Sequence, residues 1–495
     1  MMNTYIYGMR QKLQPIILGM LLLVANNLLA QKKKQVVKTE PFKKEAISDL
    51  SGRYAQYRDI AFQIWDYAEL GYKEVKSSGL LQETLKSNGF TIDAGVAGIP
   101  TAFVASYGSG EPVIGILAEF DALPGLSQQA KPEKIPVEGR NTGHGCGHHL
   151  FGTASIAAAI ELKALIDKRQ WKGAVKVYGC PAEEGGSGKV YMTRAGLFDG
   201  VDAVIHWHPS DENTVWADGA LANKSAKFRF HGTSAHAAAA PEKGRSALDA
   251  VEAMNHMANM MREHIPSDAR LHYVITNGGK APNVVPDFAE VYYYVRHPNR
   301  EITKDIFDRL VNIADGAALG TGTKTDHEII GGTFDILFNS SLAGLAHANL
   351  SMVGGVSYTP EETAFAKKIQ STLGATVPLE QATIVKPVQK RTGKTTGSTD
   401  VGDVSYAVPT VGIRVATWAP GTPAHSWQAV ACGGTEMGTK GMLVAAKAMT
   451  LTAIDLLLNP EEIKKAKEEF HLARGENFKY EPLLGDRKPA LNYRD

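Results

Sequence analysis

A thiol and an imidazole, Cys146 and His148, stand two residues apart in a glycine-rich segment, residues 143–149, that reads GHGCGHH. Glycines let the backbone turn tightly, so both side chains can face one point. Thiolate and imidazole are ligands that zinc and similar divalent metals prefer. A pattern this short also occurs by chance, so these residues alone leave an ordinary loop as an equal alternative.

Two adjacent carboxylates, Glu183 and Glu184, follow a predicted strand. Buried carboxylates repel each other and lose hydration, and a cation beside one of them relieves that cost. The other carboxylate is then free to accept a proton from water as a general base. A solvated acidic turn is the alternative. His206 and His208 end a further predicted strand, and only one of them needs to face a site.

The elements that must position these residues alternate between strands and helices. Strands are predicted at residues 101–107, 113–120, 174–180 and 203–207, and helices at 58–70, 74–90, 151–168, 361–373 and 438–458. Such alternation indicates an α/β sheet domain, and α/β enzymes place their sites at the ends of strands. We therefore expect the candidate residues to meet at one edge of a sheet.

The middle of the chain has a different order of elements. Strands are predicted at residues 225–230, 271–276, 289–296 and 328–333, and helices at 246–264 and 303–319. The order βαβ-βαβ is that of a ferredoxin-like unit. The predicted fold class is therefore a catalytic α/β domain with a mixed sheet and an inserted ferredoxin-like α+β domain.

The first segment of the chain has the pattern of a signal peptide. Arg10 and Lys12 precede an apolar run over residues 15–30, which is short and broken for a membrane span. We predict cleavage after Ala30 and a periplasmic or secreted protein, with an uncleaved anchor as the alternative. The predicted segments are a signal peptide at 1–30, a linker at 31–47, the catalytic domain at 48–219 and 335–460, the inserted domain at 220–334, and a C-terminal helix and tail at 461–495.

The composition excludes several classes of protein. The 495 residues include 53 basic and 52 acidic side chains, a net charge of +1, so bulk charge does not drive nucleic-acid binding. Hydrophobic residues make up 44% of the chain, which excludes wholesale disorder. Three cysteines are too few for a disulfide scaffold.

Eight segments occur together in a recognisable order. They read AEFDALPG, GHGCGH, PAEEGG, WHP, GTSAHAA, PNVVP, GSTDVGDVS and GTPAHSWQ. Over roughly residues 50–460 the chain resembles the M20 family of metal-dependent amidohydrolases and peptidases. It is most similar to the amidohydrolase branch, which includes hippurate, auxin-conjugate and aminobenzoyl-glutamate hydrolases. The resemblance implies a catalytic α/β domain with an inserted ferredoxin-like dimerisation or lid domain.

The resemblance also implies a role for particular residues. The implied metal ligands are Cys146, His148, Glu184, His208 and His425. His208 is preferred over His206 because it stands six residues after Asp202, as the family pattern requires. Glu183 matches the general base, and Asp121 matches a carboxylate that orients a ligand. A weak ligand role for Glu119 stays open.

Residues of the inserted domain complete the implied site. His236 matches a histidine that polarises the scissile carbonyl, and Asn283 and Arg296 match residues that hold the substrate carboxylate. The implied cofactors are two divalent metal ions per subunit, zinc or manganese. The implied partners are a small-molecule N-acyl amino acid and a second copy of the chain, paired through the inserted domain. A different partner subunit is an alternative.

Two departures from the family pattern narrow the expected subgroup. His149 stands where many relatives have Asp, and Thr399 stands where they have Glu. Both favour the aminobenzoyl-glutamate subgroup. We therefore expect an amidohydrolase that cleaves N-acyl amino acids, most specifically an aminobenzoyl-glutamate type of substrate. The alternatives are a dipeptidase, a general N-acyl-amino-acid hydrolase, and an inactive metal-bound partner subunit or binding protein.

Overall fold

A computed structural model describes residues 37–374, 377–389 and 397–495. The predicted signal peptide and the first part of the predicted linker lie outside the described residues. The strands, in chain order, are β1 Thr91–Ala94, β2 Phe103–Ser109, β3 Val113–Glu119, β4 Leu123–Pro124, β5 Thr142–Gly143, β6 Gly173–Cys180, β7 Ala203–Ser210, β8 Thr214–Val215, β9 Ala222–His231, β10 Arg270–Asn277, β11 Phe288–His297, β12 Lys324–Thr333 and β13 Thr410–Ala416.

Helices occupy the connections between most of these strands. They are α1 Glu40–Gly52, α2 Tyr54–Tyr67, α3 Val75–Ser87, α4 His148–Arg169, α5 Gly188–Arg194, α6 Ala247–Met261, α7 Arg300–Thr321, α8 Ser340–Val353, α9 Pro360–Leu373, α10 Val401–Ala407, α11 Trp427–Gly433, α12 Glu436–Leu458 and α13 Pro460–Arg474.

The larger sheet has seven strands in the order β1-β2-β6-β3-β7-β13-β8. Its centre is parallel, because β3 pairs with β6 and β7, and β7 pairs with β13, in the same direction. Strands β1, β2 and β8 join in antiparallel fashion. The central strands are buried along most of their length, as their near-continuous apolar sequences require. The carboxyl ends of four parallel strands therefore meet at one edge.

Two long helices, α4 and α12, pack against this sheet and against each other. Both are long and apolar enough to cross a membrane, but 89% and 78% of their apolar windows are buried inside the protein. A helix that is apolar on all sides is suited to such a buried position. Helix α4 begins at His148, so its packing fixes the position of one candidate ligand.

The smaller sheet has four antiparallel strands in the order β10-β11-β9-β12, with α6 and α7 packed on one face. This is the ferredoxin-like arrangement, in which each βαβ half contributes one central and one edge strand. Together with the mixed seven-stranded sheet it confirms the predicted fold class. The exact domain boundaries stay a prediction.

The structure corrects the prediction that residues 31–47 form a linker. Helix α1 begins at Glu40, inside that segment. Its residues Lys43, Ala46 and Leu50 are buried. The sequence did not show this buried face because one of its positions is a lysine. Lys43 is buried because it forms an ion pair with Asp455 at 2.7 Å. At the other end of the chain, the tail after α13 is also packed on the protein, and Leu483 and Leu484 are buried.

Candidate metal centre

The candidate residues lie at the carboxyl edge of the parallel strands. Glu119 ends β3, and Asp121 follows it; Glu183 and Glu184 follow β6; His208 lies near the end of β7. This is the edge where open α/β sheets bind their ligands. Short strands β4 and β5 pair with each other and bring the segment after β3 next to the segment that carries Cys146.

Five predicted ligands form two groups that share Cys146. One group is Cys146, His148 and His208, and the other is Cys146, Glu184 and His425. In each group the possible ligand atoms all lie within 4.8 Å of one another. Two clusters with a common thiol can hold two ions side by side. The structure therefore brings all five residues together, although their role as ligands stays a prediction.

A backbone carbonyl of the next residue orients the side chain of His208 toward Cys146. Its Nδ1 lies 2.7 Å from the carbonyl oxygen of Pro209, and its Nε2 lies 3.4 Å from the Sγ of Cys146. A proton on Nδ1 leaves the lone pair of Nε2 directed at the thiol. Burial, together with the nearby His148, holds the pKa of His208 well below its ordinary value. The neutral imidazole is the form that binds metals.

His148 is oriented by a carboxylate. Its Nδ1 lies 2.8 Å from Asp121, whose other oxygen accepts a hydrogen bond from the backbone N–H of Glu184 at 2.9 Å. A carboxylate on the far nitrogen of a histidine is the usual support for a metal ligand. Asp121 therefore links two of the predicted ligands, in agreement with an orienting role.

Several buried polar atoms at this edge make no hydrogen bond within the described residues. They include Oε1 of Glu184, and also Nε2 of His148 and Oε2 of Glu119, which lie 3.1 Å from each other as an ion pair without hydrogen-bond geometry. Oε1 of Glu184 is 3.0 Å from Nε2 of His425, yet the pair lacks hydrogen-bond geometry. Buried polar atoms are costly without partners. Their chemistry, one thiol with imidazoles and carboxylates, fits divalent zinc or a similar metal.

The electrostatics of the cluster favour positive charge. Burial lowers the pKa of His148, but Asp121 and Glu119 outweigh this effect and raise the pKa well above its ordinary value. The adjacent thiol of Cys146 and carboxylate of Glu184 raise the pKa of His425 to about 11. Acidic groups and the thiol of Cys146 thus surround the imidazoles of His148 and His425, which is an environment that favours a divalent cation.

Glu183 lies beside the ligand groups without belonging to either of the two that share Cys146. Burial and the nearby carboxylates of Glu119 and Glu184 raise its pKa well above the ordinary value. A raised pKa makes a carboxylate a stronger base. Glu183 also approaches Glu119 and His148 in a third group of possible ligand atoms, so the alternative ligand role of Glu119 stays open.

The sequence did not predict a buried lysine at this site. Nζ of Lys189, on α5, is fully buried, 2.6 Å from Glu119 and 2.7 Å from Asp400. Burial opposes its charge, but Asp400 and Glu119 raise its pKa well above the ordinary value. Asp400 belongs to the GSTDVGDVS segment, which is one of those that carry the family resemblance. Lys189 belongs to none of these segments. The lysine neutralises part of the acidic cluster.

The other histidines near this edge have structural surroundings. His206 lies on the same face of β7 as His208 but two residues farther from the carboxyl end of the strand, against Gly412, and burial lowers its pKa to about 3. His149 lies 3.0 Å from the carbonyl oxygen of Gly433, and its ring packs on His144. Burial also lowers the pKa of both His144 and His149. This geometry agrees with the preference for His208.

The predicted residues of the inserted domain lie apart from this cluster. His236 and Asn283 are exposed neighbours, since the backbone N–H of Ala237 donates to the carbonyl of Asn283. Nδ1 of His236 accepts hydrogen bonds from the N–H groups of Ala238 and Ala239. The proton of the neutral ring must then reside on Nε2, which faces outward as a donor.

Asn283 and Arg296 do not come together within one chain. Asn283 precedes Phe288, the first residue of β11, whereas Arg296 is near the end of that strand, opposite Asn223. At about 3.3 Å per residue, roughly 26 Å of strand separates Phe288 from Arg296. Nε of Arg296 is buried and makes no hydrogen bond within the described part of the chain. One chain cannot place both side chains on the same small carboxylate.

Comparisons with known proteins agree with this architecture. The family model of the peptidase dimerisation domain, M20_dimer, matches residues 222–321. The chain is 43% identical over 442 residues to one of the subunits of p-aminobenzoyl-glutamate hydrolase of Escherichia coli (strain K12), and the match covers 84% of this chain and 92% of that protein. It is 30% identical to Xaa-Arg dipeptidase of Mus musculus, with 82% of this chain and 87% of that protein covered.

A solved structure shares the fold. It is a dinuclear metal binding peptidase from the M20 family, from Bacillus subtilis, with a TM-score of 0.56 and 18% sequence identity. The alignment covers 82% of this chain and 99% of that chain.

Proposed function

Because the chain belongs to the M20 family of hydrolases, we propose that it is a dinuclear metal-dependent amidohydrolase acting on N-acyl amino acids. An aminobenzoyl-glutamate type of substrate is the most specific form of this proposal, supported by the 43% identity to a subunit of a hydrolase of that name. The observation that carries it is the pair of ligand groups sharing Cys146, with the carboxylate of Glu183 beside them.

When bound, two divalent ions, zinc or manganese, supply Lewis-acid activation of water and of the scissile carbonyl. Glu183 accepts the proton of the attacking water, for which its raised pKa suits it. The same carboxyl group then delivers the proton to the leaving amine. The outward Nε2–H of His236 donates to the carbonyl oxygen as negative charge develops there.

His236 and Asn283 act, in this proposal, on the active site of a second copy of the chain. Their distance along the sheet from Arg296 supports this arrangement. The inserted domain matches a dimerisation domain, and its edge strand β10 exposes Val274 and Ile275. An open strand edge with apolar side chains is a surface for pairing. We therefore propose a homodimer. A partner of different sequence is the alternative, supported by the name of the Escherichia coli relative, which describes one subunit of a hydrolase.

Arg296 and Asn283 select the substrate by its carboxylate. Arginine binds a carboxylate with two parallel hydrogen bonds, and the buried Nε of Arg296 makes no other hydrogen bond among the described residues. Asn283 arrives from the partner together with His236. This division places the carboxylate of the released amino acid between the two protomers.

The alternative functions are a dipeptidase and an inactive binding protein. A dipeptidase is supported by the 30% identity to Xaa-Arg dipeptidase. An inactive binding protein is disfavoured because binding alone needs no further buried carboxylate beside the two groups that share Cys146, and Glu183 is one. The experiment is to load the protein with zinc or manganese and supply N-acyl glutamates, including aminobenzoyl-glutamate, beside dipeptides. Release of glutamate from the acyl compounds supports the proposal; cleavage of dipeptides alone would favour the rival.

We also propose that the protein is exported. The support is the basic start and apolar run before Ala30, which lie outside the described residues. Expression in a Gram-negative host followed by fractionation and N-terminal sequencing tests this. A mature chain that begins at Gln31 in the periplasm is the expected result, and a full-length chain in the cytoplasm would contradict it.

A further inference from the structure

The end of the chain contacts the loop that carries Glu183 and Glu184. Oη of Tyr493 donates a hydrogen bond to the carbonyl oxygen of Glu184 at 3.0 Å. Nη2 of Arg494 donates to the same oxygen at 2.6 Å. Tyr493 and Arg494 thus both hydrogen-bond to the backbone of Glu184, a predicted metal ligand.

The tail, residues 475–495, is fixed along its path by both domains. Tyr480 donates to the buried carboxyl group of Asp403 at 2.7 Å. Nη1 of Arg487 donates to the carbonyl oxygen of Ile330 at 2.5 Å, on strand β12 of the inserted domain. Buried leucines lie between these contacts. The position of Tyr493 and Arg494 therefore follows from a continuous set of contacts.

The surface beneath the tail is shaped to receive it. A Cβ at Gly71 would lie 2.2 Å from Oη of Tyr493, so only glycine leaves room for this hydroxyl. The ring of Tyr493 packs edge-on against Tyr72, with 5.5 Å between ring centroids. Tyr72 in turn donates to the carbonyl oxygen of Gly186 at 2.6 Å. Two tyrosines in contact thus hold two carbonyls of the same loop.

The loop has a backbone conformation that needs outside support. Ala182 and Ser187 have φ values of 56° and 60°, which residues other than glycine rarely adopt. Carboxylates hold its N–H groups: Glu74 accepts from Ala182 at 2.8 Å, and Asp121 accepts from Glu184. The tail supplies the partners of the Glu184 carbonyl, and a carbonyl in such a position requires one.

We propose that Tyr493 and Arg494 are positioning residues that hold the Glu183–Glu184 loop in the geometry for metal binding and proton transfer. This inference rests on the proposed function for its link to catalysis. Its link to metal binding depends only on Glu184 as a ligand. The tail acts through the loop, and neither residue touches the substrate.

The test compares Arg494→Ala, Tyr493→Phe and the double variant with Lys488→Ala. Lys488 has an exposed side chain in the same tail, so its variant matches the charge change of Arg494→Ala. Affinity for Zn²⁺ and Mn²⁺ is measured by competition with a chelator, and kcat and KM are measured with aminobenzoyl-glutamate. Residues that support metal ligands typically change affinity or activity by about 10- to 100-fold.

We expect the double variant to bind metal at least about tenfold more weakly and to lose a similar factor in kcat at saturating metal, with KM little changed. Arg494→Lys should recover part of the loss, because lysine also donates to a carbonyl. Lys488→Ala should match the unmodified protein. A double variant with unchanged metal affinity and kcat would overturn the proposal, as would a lower melting temperature with unchanged metal affinity.

The two proposals fail in different ways. If the unmodified protein cleaves none of the acyl amino acids but the variants still bind metal more weakly, the proposed function fails and the positioning role stands. If the unmodified protein is active and the variants equal it in both measurements, the positioning role alone fails.

Discussion

The two domains hold their candidate site residues in opposite ways. At the edge of the seven-stranded sheet, His148 and Cys146 are 0% and 8% exposed and are fixed by neighbouring side chains. In the inserted domain, His236 and Asn283 are exposed, and the described contacts of the His236 ring are two backbone N–H groups. The candidate metal ligands are therefore brought together within one chain, whereas the residues proposed to act on the substrate are exposed.

The difference has an energetic basis. Buried ionised carboxylates are costly unless positive charges compensate them, and Lys189, together with His148, supplies positive charge inside the cluster. No such requirement applies to an exposed imidazole such as that of His236. The candidate metal ligands are consequently fixed by the fold of the catalytic domain, whereas His236 stays exposed in the described chain.

The largest expected effect is on proton transfer at the sheet edge. Glu183→Gln keeps the size of the side chain but removes the base, so turnover should fall by about 10²- to 10⁴-fold. Metal content should stay near that of the unmodified protein, because Glu183 is outside the two groups that share Cys146. Elemental analysis and a rate assay check this. Near-normal turnover in the metal-loaded variant would refute the assignment of the base.

A matched pair of cysteine variants separates ligands from core residues. Cys146→Ala removes the thiol common to both ligand groups and should lose bound metal together with activity. Cys432→Ala, in a buried apolar cluster, should retain both. Metal content measured after gel filtration decides the matter. Equal metal content in the two variants would show that Cys146 is not a ligand.

On the other side of the comparison, His236→Ala should lower kcat by about 100-fold, a typical size for the loss of one donor to a developing oxyanion. Metal content should not change, because His236 belongs to none of the groups of possible ligands. His231, exposed on the same domain and paired with Asp326 at 2.7 Å, offers the control variant His231→Ala. Full activity in His236→Ala would exclude the donor role.

The smallest effect concerns a buried carboxyl group away from the site. Burial raises the pKa of Glu161 from 4.5 to about 7, and its oxygens accept no hydrogen bond within the described residues. The folded state therefore holds a proton that the unfolded state releases, so stability falls as pH rises from 4.5 to 7. Glu161→Gln should remove this loss, so the variant's stability should depend less on pH across this range. Melting curves at several pH values check it; parallel curves for both proteins would contradict it.

The sequence predicted the fold class because its patterns are local. Alternating strands and helices, and the βαβ-βαβ order in the middle, depend on neighbours in the chain, and the observed elements agree with them within a few residues. Helix α1 was missed because the lysines near Glu40 masked a short apolar face. One of those lysines, Lys43, is buried against Asp455, a contact 412 residues distant.

At the site, the sequence predicted the side chains that carry motifs and missed those that support them. Cys146, His148 and Glu184 stand in recognisable segments, and the structure gathers them. Lys189 and Arg494 have no motif, because their roles arise only when distant segments meet in the fold. The separation of Asn283 from Arg296, by contrast, follows from the strand predicted at 289–296, although the resemblance assigned both residues to one carboxylate.

Exchange of protomers between two inactive variants tests most directly whether two chains share one active site. His236→Ala and Glu183→Gln are purified separately, mixed, allowed to exchange, and assayed with aminobenzoyl-glutamate. In a mixed dimer one site combines an intact Glu183 with an intact His236 from the other chain, so we predict that activity returns to roughly a quarter of the unmodified level, as random pairing of shared two-site dimers gives. No recovery, despite exchange shown by differently tagged protomers, would contradict the account.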